Sequence, residues 1–173
     1  VLYLNMITTE LIKQLRDETG VSVMQCKKAL EEVGGDIEKA RIVLKKKSGA
    51  AAEKKADREL GAGFLVVNTQ GDTSALITLL CETDFVAKNE EFVNAAKKVA
   101  EMAVTEGEAV KQSSAEMINE LIQKMGENIK VGEVKVMKGN VGSYVHNGLI
   151  GAVVALKDKN DDLARDIAMH ITA

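Results

Sequence analysis

Ala75-Leu76-Ile77-Thr78-Leu79-Leu80-Cys81-Glu82-Thr83-Asp84-Phe85-Val86-Ala87-Lys88-Asn89-Glu90-Glu91-Phe92 runs from the most apolar stretch of the chain into a long amphipathic one. The apolar run predicts a buried strand, and Phe92, Ala96, Val99, Ala100 and Ala103 recur beyond it at helical spacing. Cys81 to Glu91 is therefore a turn between a strand and a helix. Such turns are usually a few residues and a cap. This one carries Phe85, one of three phenylalanines in 173 residues, beside Asp84. On the residues alone two readings stand. Phe85 is either a hydrophobic staple folded under its own helix or an exposed wedge aimed at a partner, because aromatic anchors carry much of the energy of small interfaces.

Working outward, the strand has a partner before it. Gly63-Phe64-Leu65-Val66-Val67-Asn68 reads as a strand and Thr69-Gln70-Gly71-Asp72 as a tight turn into Ser74–Leu80. The same order returns later in the chain. Gly142-Ser143-Tyr144-Val145-His146-Asn147, a turn at Gly148, the strand Ile150–Leu156 and a helix with Leu163, Ile167, Ala168 and Ile171 inward repeat it. Two hairpin-plus-helix units of this kind predict an α+β core, with both hairpins in one antiparallel sheet covered by helices. Leu80 to Phe92 spans twelve positions and Leu156 to Leu163 seven, so the first turn has about five residues more. Asp84, Phe85 and Val86 are among them. A loop enlarged in one of two similar units is where function is added to a scaffold, which favours the wedge.

The N-terminal part has a different texture. Leu11, Ile12 and Leu15 predict a first helix ending at Gly20, and Ser22-Val23-Met24-Gln25 reads as a capping box opening a second. Val23 or Met24, then Cys26, Ala29, Leu30 and Val33, form its inner face up to Gly34-Gly35. Asp36 caps a third helix with Ile37, Ala40, Val43 and Leu44 inward. Three short helices predict a bundle of the ubiquitin-associated type, suited to docking. Lys45 to Arg58, rich in lysine and alanine, reads as a solvated helical connector. The expected domains are thus a docking module over 1–47, a linker over 48–60 and the α+β core over 61–173. Within the core, 61–107 is the first repeat and 139–173 the second. Residues 108–138 supply a connecting helix through Met117, Ile118, Leu121, Ile122 and Met125, a glycine C-cap at Gly126, and the alternating strand Val131–Val136.

Composition narrows the function classes. Hydrophobic residues at 46% and charged residues at 28% describe a soluble globular chain, and a net charge of −3 lacks the basic excess of a general nucleic-acid binder. The longest apolar run falls far short of the ~18 residues a membrane span needs. Cys26 and Cys81 have no CxxC partner and read as buried free thiols. His146 and His170 lack metal-ligand spacing, and neither GxxxxGK[ST] nor GxGxxG occurs, so no metal, cofactor or phosphate cradle is expected. No paired carboxylates or activated nucleophile suggest an enzyme. Met6 is a plausible true start, with Val1–Asn5 an extension.

Thr83-Asp84-Phe85-Val86-Ala87-Lys88-Asn89 closely resembles the signature of the elongation factor Ts family. Three more segments match in the family's order and spacing. They are Leu15–Gly20 with Met24–Leu30, then Gly126-Glu127-Asn128-Ile129, then Gly142–His146 with Ile167–His170. The resemblance spans nearly the whole chain. It implies a cytoplasmic nucleotide-exchange factor that binds the GTPase elongation factor Tu and performs no bond chemistry. It implies that Thr83, Asp84, Phe85 and Val86 disturb the Mg²⁺ and phosphate site of that partner, with Met24, Lys27, Met125, Gly126 and His146 as further contacts. No direct binding of nucleotide, nucleic acid or membrane is expected. Family members usually continue past the equivalent of Ile171-Thr172-Ala173, so the chain corresponds to the N-terminal and core regions. Without the resemblance, two other readings stay open: an adaptor whose bundle holds a helical peptide or ubiquitin-like partner, and RNA binding through Lys45–Lys55.

Overall fold

The computed structural model describes residues 7–173, and its contacts divide the chain into two compact units. The reading of Met6 and of Val1–Asn5 lies outside the described residues. One unit comprises the chain up to Asp57 together with Asn119–Gly126; the other comprises Arg58–Ile118 and Glu127–Ala173.

The first unit is built on α1 (Thr9–Thr19), α2 (Val23–Glu32) and α3 (Ile37–Glu53). Each begins on a side chain that satisfies an otherwise orphaned backbone N–H. Thr8 accepts from Leu11 N, Ser22 from Gln25 N and Asp36 from Lys39 N. Gly20, at φ +66°, ends α1 in the left-handed conformation a side chain disfavours. Leu15, Val21, Cys26, Ala29, Leu30, Ala40 and Leu44 form the core, with Leu11, Ile12, Val33, Ile37 and Val43 packed on its margin. Neither Val23 nor Met24 joins it, contrary to the expected inner face; both are exposed in the first turn of α2. The core is already closed at that end by Val21, just before the Ser22 cap, and by Cys26 within α2. Helix α3 runs on without a break through Ala50-Ala51-Ala52, residues of high helix propensity.

The second unit is α+β. Strands β1 (Ala62–Gln70), β2 (Thr73–Cys81) and β3 (Ile129–Lys138) form an antiparallel sheet in the order β1-β2-β3. In β2 the residues Ala75, Ile77, Leu79 and Cys81 are sealed while Leu76, Thr78 and Leu80 are half-buried, the period of two expected of a central strand covered on one face. Helix α5 (Glu90–Glu106) lies across β1 and β2, burying Phe92, Ala96, Val99, Ala100, Ala103 and Val104. A short helix α4 (Asp84–Ala87) stands between β2 and α5. After α5 the chain continues through a 3-10 turn, α6 (Val110–Ser113) and α7 (Ala115–Met125), whose second half groups with the first unit. Strands β4 (Asn140–His146) and β5 (Ile150–Leu156) form a hairpin carrying α8 (Asp161–Thr172). No helix among the described residues is long and apolar enough to cross a membrane.

The antiparallel sheet covered by helices is present, but the two hairpins do not share it: β4 and β5 pair only with each other. Both edges of β2 are taken, by β1 and by β3, and the second hairpin packs against β1 through its turn. There Leu65 N donates to Gly148 O at 2.6 Å, and a Cβ on Gly148 would lie 2.1 Å from the Phe64 ring. The inner face of α8 is Ala164 and Ala168, not Leu163 and Ile171, which are 47% and 64% exposed. The reason is close approach: a Cβ on Gly142 of β4 would lie 2.5 Å from the Ala164 Cβ, so only the smallest side chains fit where helix meets strand. Counted between element ends, eight residues separate β2 from α5 and four separate β5 from α8. The first turn is longer by four residues rather than five.

Candidate functional site

The enlarged turn is held from below by its own sequence and by a distant carboxylate. Thr83 is the N-cap of α4; its Oγ1 accepts from Val86 N at 3.4 Å, and its carbonyl accepts from Ala87 N at 3.2 Å. The same hydroxyl donates to Glu127 Oε1 at 2.6 Å. Glu127 Oε2 accepts from the backbone N–H of both Glu82 and Thr83, each at 3.1 Å. The neighbouring segment returns the arrangement: Asn128 N donates to Glu82 Oε1 at 2.6 Å, and Asn128 Nδ2 to Arg58 O at 2.9 Å. Cys81 Sγ donates to Thr83 O at 3.2 Å. Burial, and then the nearby Glu127 charge, push the Cys81 thiol up to about 11. It is therefore a neutral structural donor near pH 7.

On this base Phe85 points outward. Its side chain is 82% exposed, whereas Phe92, seven residues on, is 0% exposed. The staple reading fails on that contrast, because the ring under the helix is Phe92. Asp84 and Lys88 are also exposed and pair across one turn at 2.7 Å; the Lys88 hydrogen bond holds the Asp84 carboxyl below the usual carboxylate range. Val86 is half-buried and Ala87 buried, so α4 sits on the unit by one side and offers the other. The arrangement presents an aromatic ring, with an acidic neighbour, on a short helix fixed by hydrogen bonds.

The remaining residues singled out from sequence fall in several places. Met24 and Lys27 lie one turn apart on the outer face of α2, both exposed, with Lys27 paired to Glu31 at 3.8 Å. Met125 is the half-buried last residue of α7, and Gly126 follows at φ +79°, ending the helix. These four belong to the first unit. His146 ends β4 and is exposed, its ring between Tyr144 OH (3.1 Å from Nδ1) and Asn147 Nδ2 (3.2 Å from Nε2). Asn147 and Gly148 both take positive φ, closing the hairpin turn that displays it. Sequence reasoning did not assign roles to Glu127, Glu82 and Asn128. The one signal was Glu127-Asn128 directly after a glycine that already sufficed as a helix stop: polar residues in excess of what a C-cap needs.

Comparison with known proteins gives a consistent set of relatives. The family described as elongation factor TS matches residues 82–173, more than half of the chain. A curated elongation factor Ts from Arthrospira platensis is 43% identical over 182 residues, covering 96% of this chain and 74% of that protein. Those of Psychrobacter sp. (strain PRwf-1) and Aeromonas hydrophila are 41% and 40% identical, again over 96% of this chain but 61% of their own length. The chain thus spans between three-fifths and three-quarters of the relatives it matches.

Proposed function

The chain belongs to the elongation factor Ts family, and from that premise we propose that it binds elongation factor Tu·GDP in the cytoplasm and speeds exchange of GDP for GTP. The observation that carries the reading is Phe85, exposed on a helix whose base is pinned. A large ring left in water by a protein that buries Phe92 a few residues away is an anchor for something else.

Exchange follows from linkage. A factor that binds the nucleotide-free GTPase more tightly than its GDP form weakens GDP by the same ratio. In a P-loop GTPase the nucleotide is held by backbone amides, a lysine and a Mg²⁺ bridge. Phe85 enters next to that site and moves groups that order the ion, with Thr83, Asp84 and Val86 completing the contact. The energy comes from burying the ring in the complex, worth ~1.5–3 kcal/mol, or about one to two decades in affinity. One ring does not supply large accelerations. Met24 and Lys27 on the N-terminal bundle, acting as a docking module, and Met125, Gly126 and His146 add the rest. The factor acts by binding alone and makes or breaks no covalent bond.

Release of a fluorescent GDP analogue from elongation factor Tu tests this. Sub-stoichiometric amounts of the chain should accelerate release and turn over many GTPase molecules. Release at the spontaneous rate, with or without the chain, would overturn the reading.

A further inference from the structure

We infer that Glu127 is a positioning residue for exchange: its carboxylate, bound to Glu82 N, Thr83 N and Thr83 Oγ1, fixes the turn in the conformation that presents Phe85. The inference rests on the exchange reading above and adds a residue outside the Thr83–Val86 segment.

The need for a brace is physical. Helix α4 has four residues, and an isolated helix of that length does not persist in water, because nucleation costs more than one turn returns. Its shape must be imposed by bonds to the rest of the unit. Buried Ala87 and half-buried Val86 seat one side of α4, while the Phe85 ring is exposed and takes little support from the core. Polar bonds at the N-terminal end complete the seating and set the direction of the ring. Three donors converge there on one carboxylate: two main-chain N–H groups on Oε2 and a hydroxyl on Oε1. A single hydroxyl proton also fixes polarity. Thr83 Oγ1 gives its proton to Glu127, so a lone pair faces Val86 N. A chain of donors, Val86 N–H to Thr83 O–H to Glu127, runs from the residue beside the ring to the negative charge. Bonds to an ionised acceptor are the stronger kind.

The base of the turn is also cross-braced. Glu127 holds the backbone of Glu82, and Glu82 Oε1 accepts Asn128 N. The two segments continue directly into the Cys81–Ile129 pair of β2 and β3, so the brace is an extension of the sheet beyond its last rung. A ring fixed before encounter loses less freedom on binding than one on a loose loop.

Substituting glutamine keeps the size, and its carbonyl can still take the two main-chain N–H groups, but the charge is lost and its NH₂ forces the Thr83 hydroxyl to turn from donor to acceptor. The test is a cycle of Glu127→Gln and Phe85→Ala, read by GDP release from elongation factor Tu and by amide hydrogen exchange in the free protein. Glu127→Gln is expected to slow stimulated release about tenfold, equivalent to ~1.4 kcal/mol, and to slow it much less in the Phe85→Ala background, where only the smaller contacts of the turn remain to be misplaced. Amides of Thr83 and Val86 should lose protection while those of β2 keep theirs. Thr83→Val should reproduce the effect and Thr83→Ser should restore most of it, which covers the case of a poorly folding Glu127 variant. Equal slowing by Glu127→Gln in both backgrounds, or unchanged protection of the turn, would overturn the assignment. Release at the spontaneous rate with the unaltered chain would sink the exchange reading itself, while loss of turn protection in Glu127→Gln would still show the brace.

Discussion

The second unit contains two strand-to-helix turns that solve the same problem with different lengths of chain. From β5 into α8 the path is four residues, and Asn160 caps the helix by accepting Leu163 N at 3.0 Å. From β2 into α5 it is eight, and Asn89 caps that helix in the same manner, accepting Glu91 N at 2.9 Å. Entry to the helix therefore requires only the cap. Seven residues, Glu82 to Lys88, precede that cap where three, Lys157 to Lys159, precede the other. The longer path has room for α4, the carboxylate-bound base and the exposed ring. A four-residue difference between otherwise similar turns separates a connection that only connects from one that displays a side chain.

The largest effect that could break this comparison belongs to Phe92. It is the first inward residue of α5 and fully sealed, so Phe92→Ala should cost ~3–5 kcal/mol through lost packing and a residual cavity. Denaturant melts measure it directly. A loss below ~1 kcal/mol would mean that α5 does not carry the core and that the two phenylalanines do not differ as described.

Phe85→Ala should give the opposite pattern. Stability should change by less than ~0.5 kcal/mol, as at surface positions, while stimulated GDP release falls by about one to two decades, the affinity carried by one buried ring. A stability loss approaching that of Phe92→Ala would place Phe85 in the core and remove the contrast.

Much of this contrast was legible in the sequence. The repeated strand, turn, strand, helix order gave the α+β class, and the mismatch in spacing located the insertion. The apolar run of β2 identified a buried strand without naming its second neighbour. That neighbour, β3, lies some fifty residues away, and hydrophobic patterning is silent on which strand fills an edge. The inner face of α8 was misread for a related reason: periodicity selects the largest apolar residues, whereas close packing over Gly142 requires the smallest. Glu127 was quoted as part of a motif, but its bonds to Glu82 and Thr83 join segments more than forty residues apart and have no local signature.

A smaller effect concerns the thiol at the base of the longer turn. Burial and the Glu127 charge raise Cys81 to about 11, above the ~8.5 of a free thiol. Raised in the fold, its contribution to stability is complete below the unfolded value and is lost as pH rises through the folded one. Wild-type stability should therefore decline between about pH 8.5 and about 11, and a Cys81→Ala variant should decline less over that window. At pH 8 both Cys81 and Cys26 should react slowly with a thiol reagent until denaturant is added, since both are buried and burial raises Cys26 as well. Rapid reaction of Cys81 in the native state would show that the base of the turn opens.

The smallest structural effect is expected at Asp84, and it sharpens the comparison most finely, because Asp84 belongs to the insertion yet supports nothing beneath it. Its carboxylate is exposed and bonded to Lys88 four residues on, in the orientation that suits a helix. Lys88 lowers the Asp84 carboxyl, so whatever the pair contributes is present above the unfolded carboxylate range and is lost as pH falls through the folded value. Water and salt screen so exposed a pair, and Asp84→Asn should leave the melting midpoint near neutral pH where it is. Exchange should respond nonetheless if, as proposed, the same charge faces the partner in the complex. The slowing should be smaller than for Phe85→Ala and should shrink between about 0.1 and about 1 M salt, as the Debye length falls from ~10 to ~3 Å. Lys88→Ala separates the two jobs the carboxylate could have. If the ion pair holds α4 in place, removing Lys88 should slow exchange as much as Asp84→Asn does; if Asp84 leaves Lys88 to meet the partner, removing Lys88 should leave exchange unchanged or faster. The exposure of both side chains and the independent brace at Glu127 favour the second outcome. An Asp84→Asn variant that melts earlier at neutral pH would instead make Asp84 part of the scaffold.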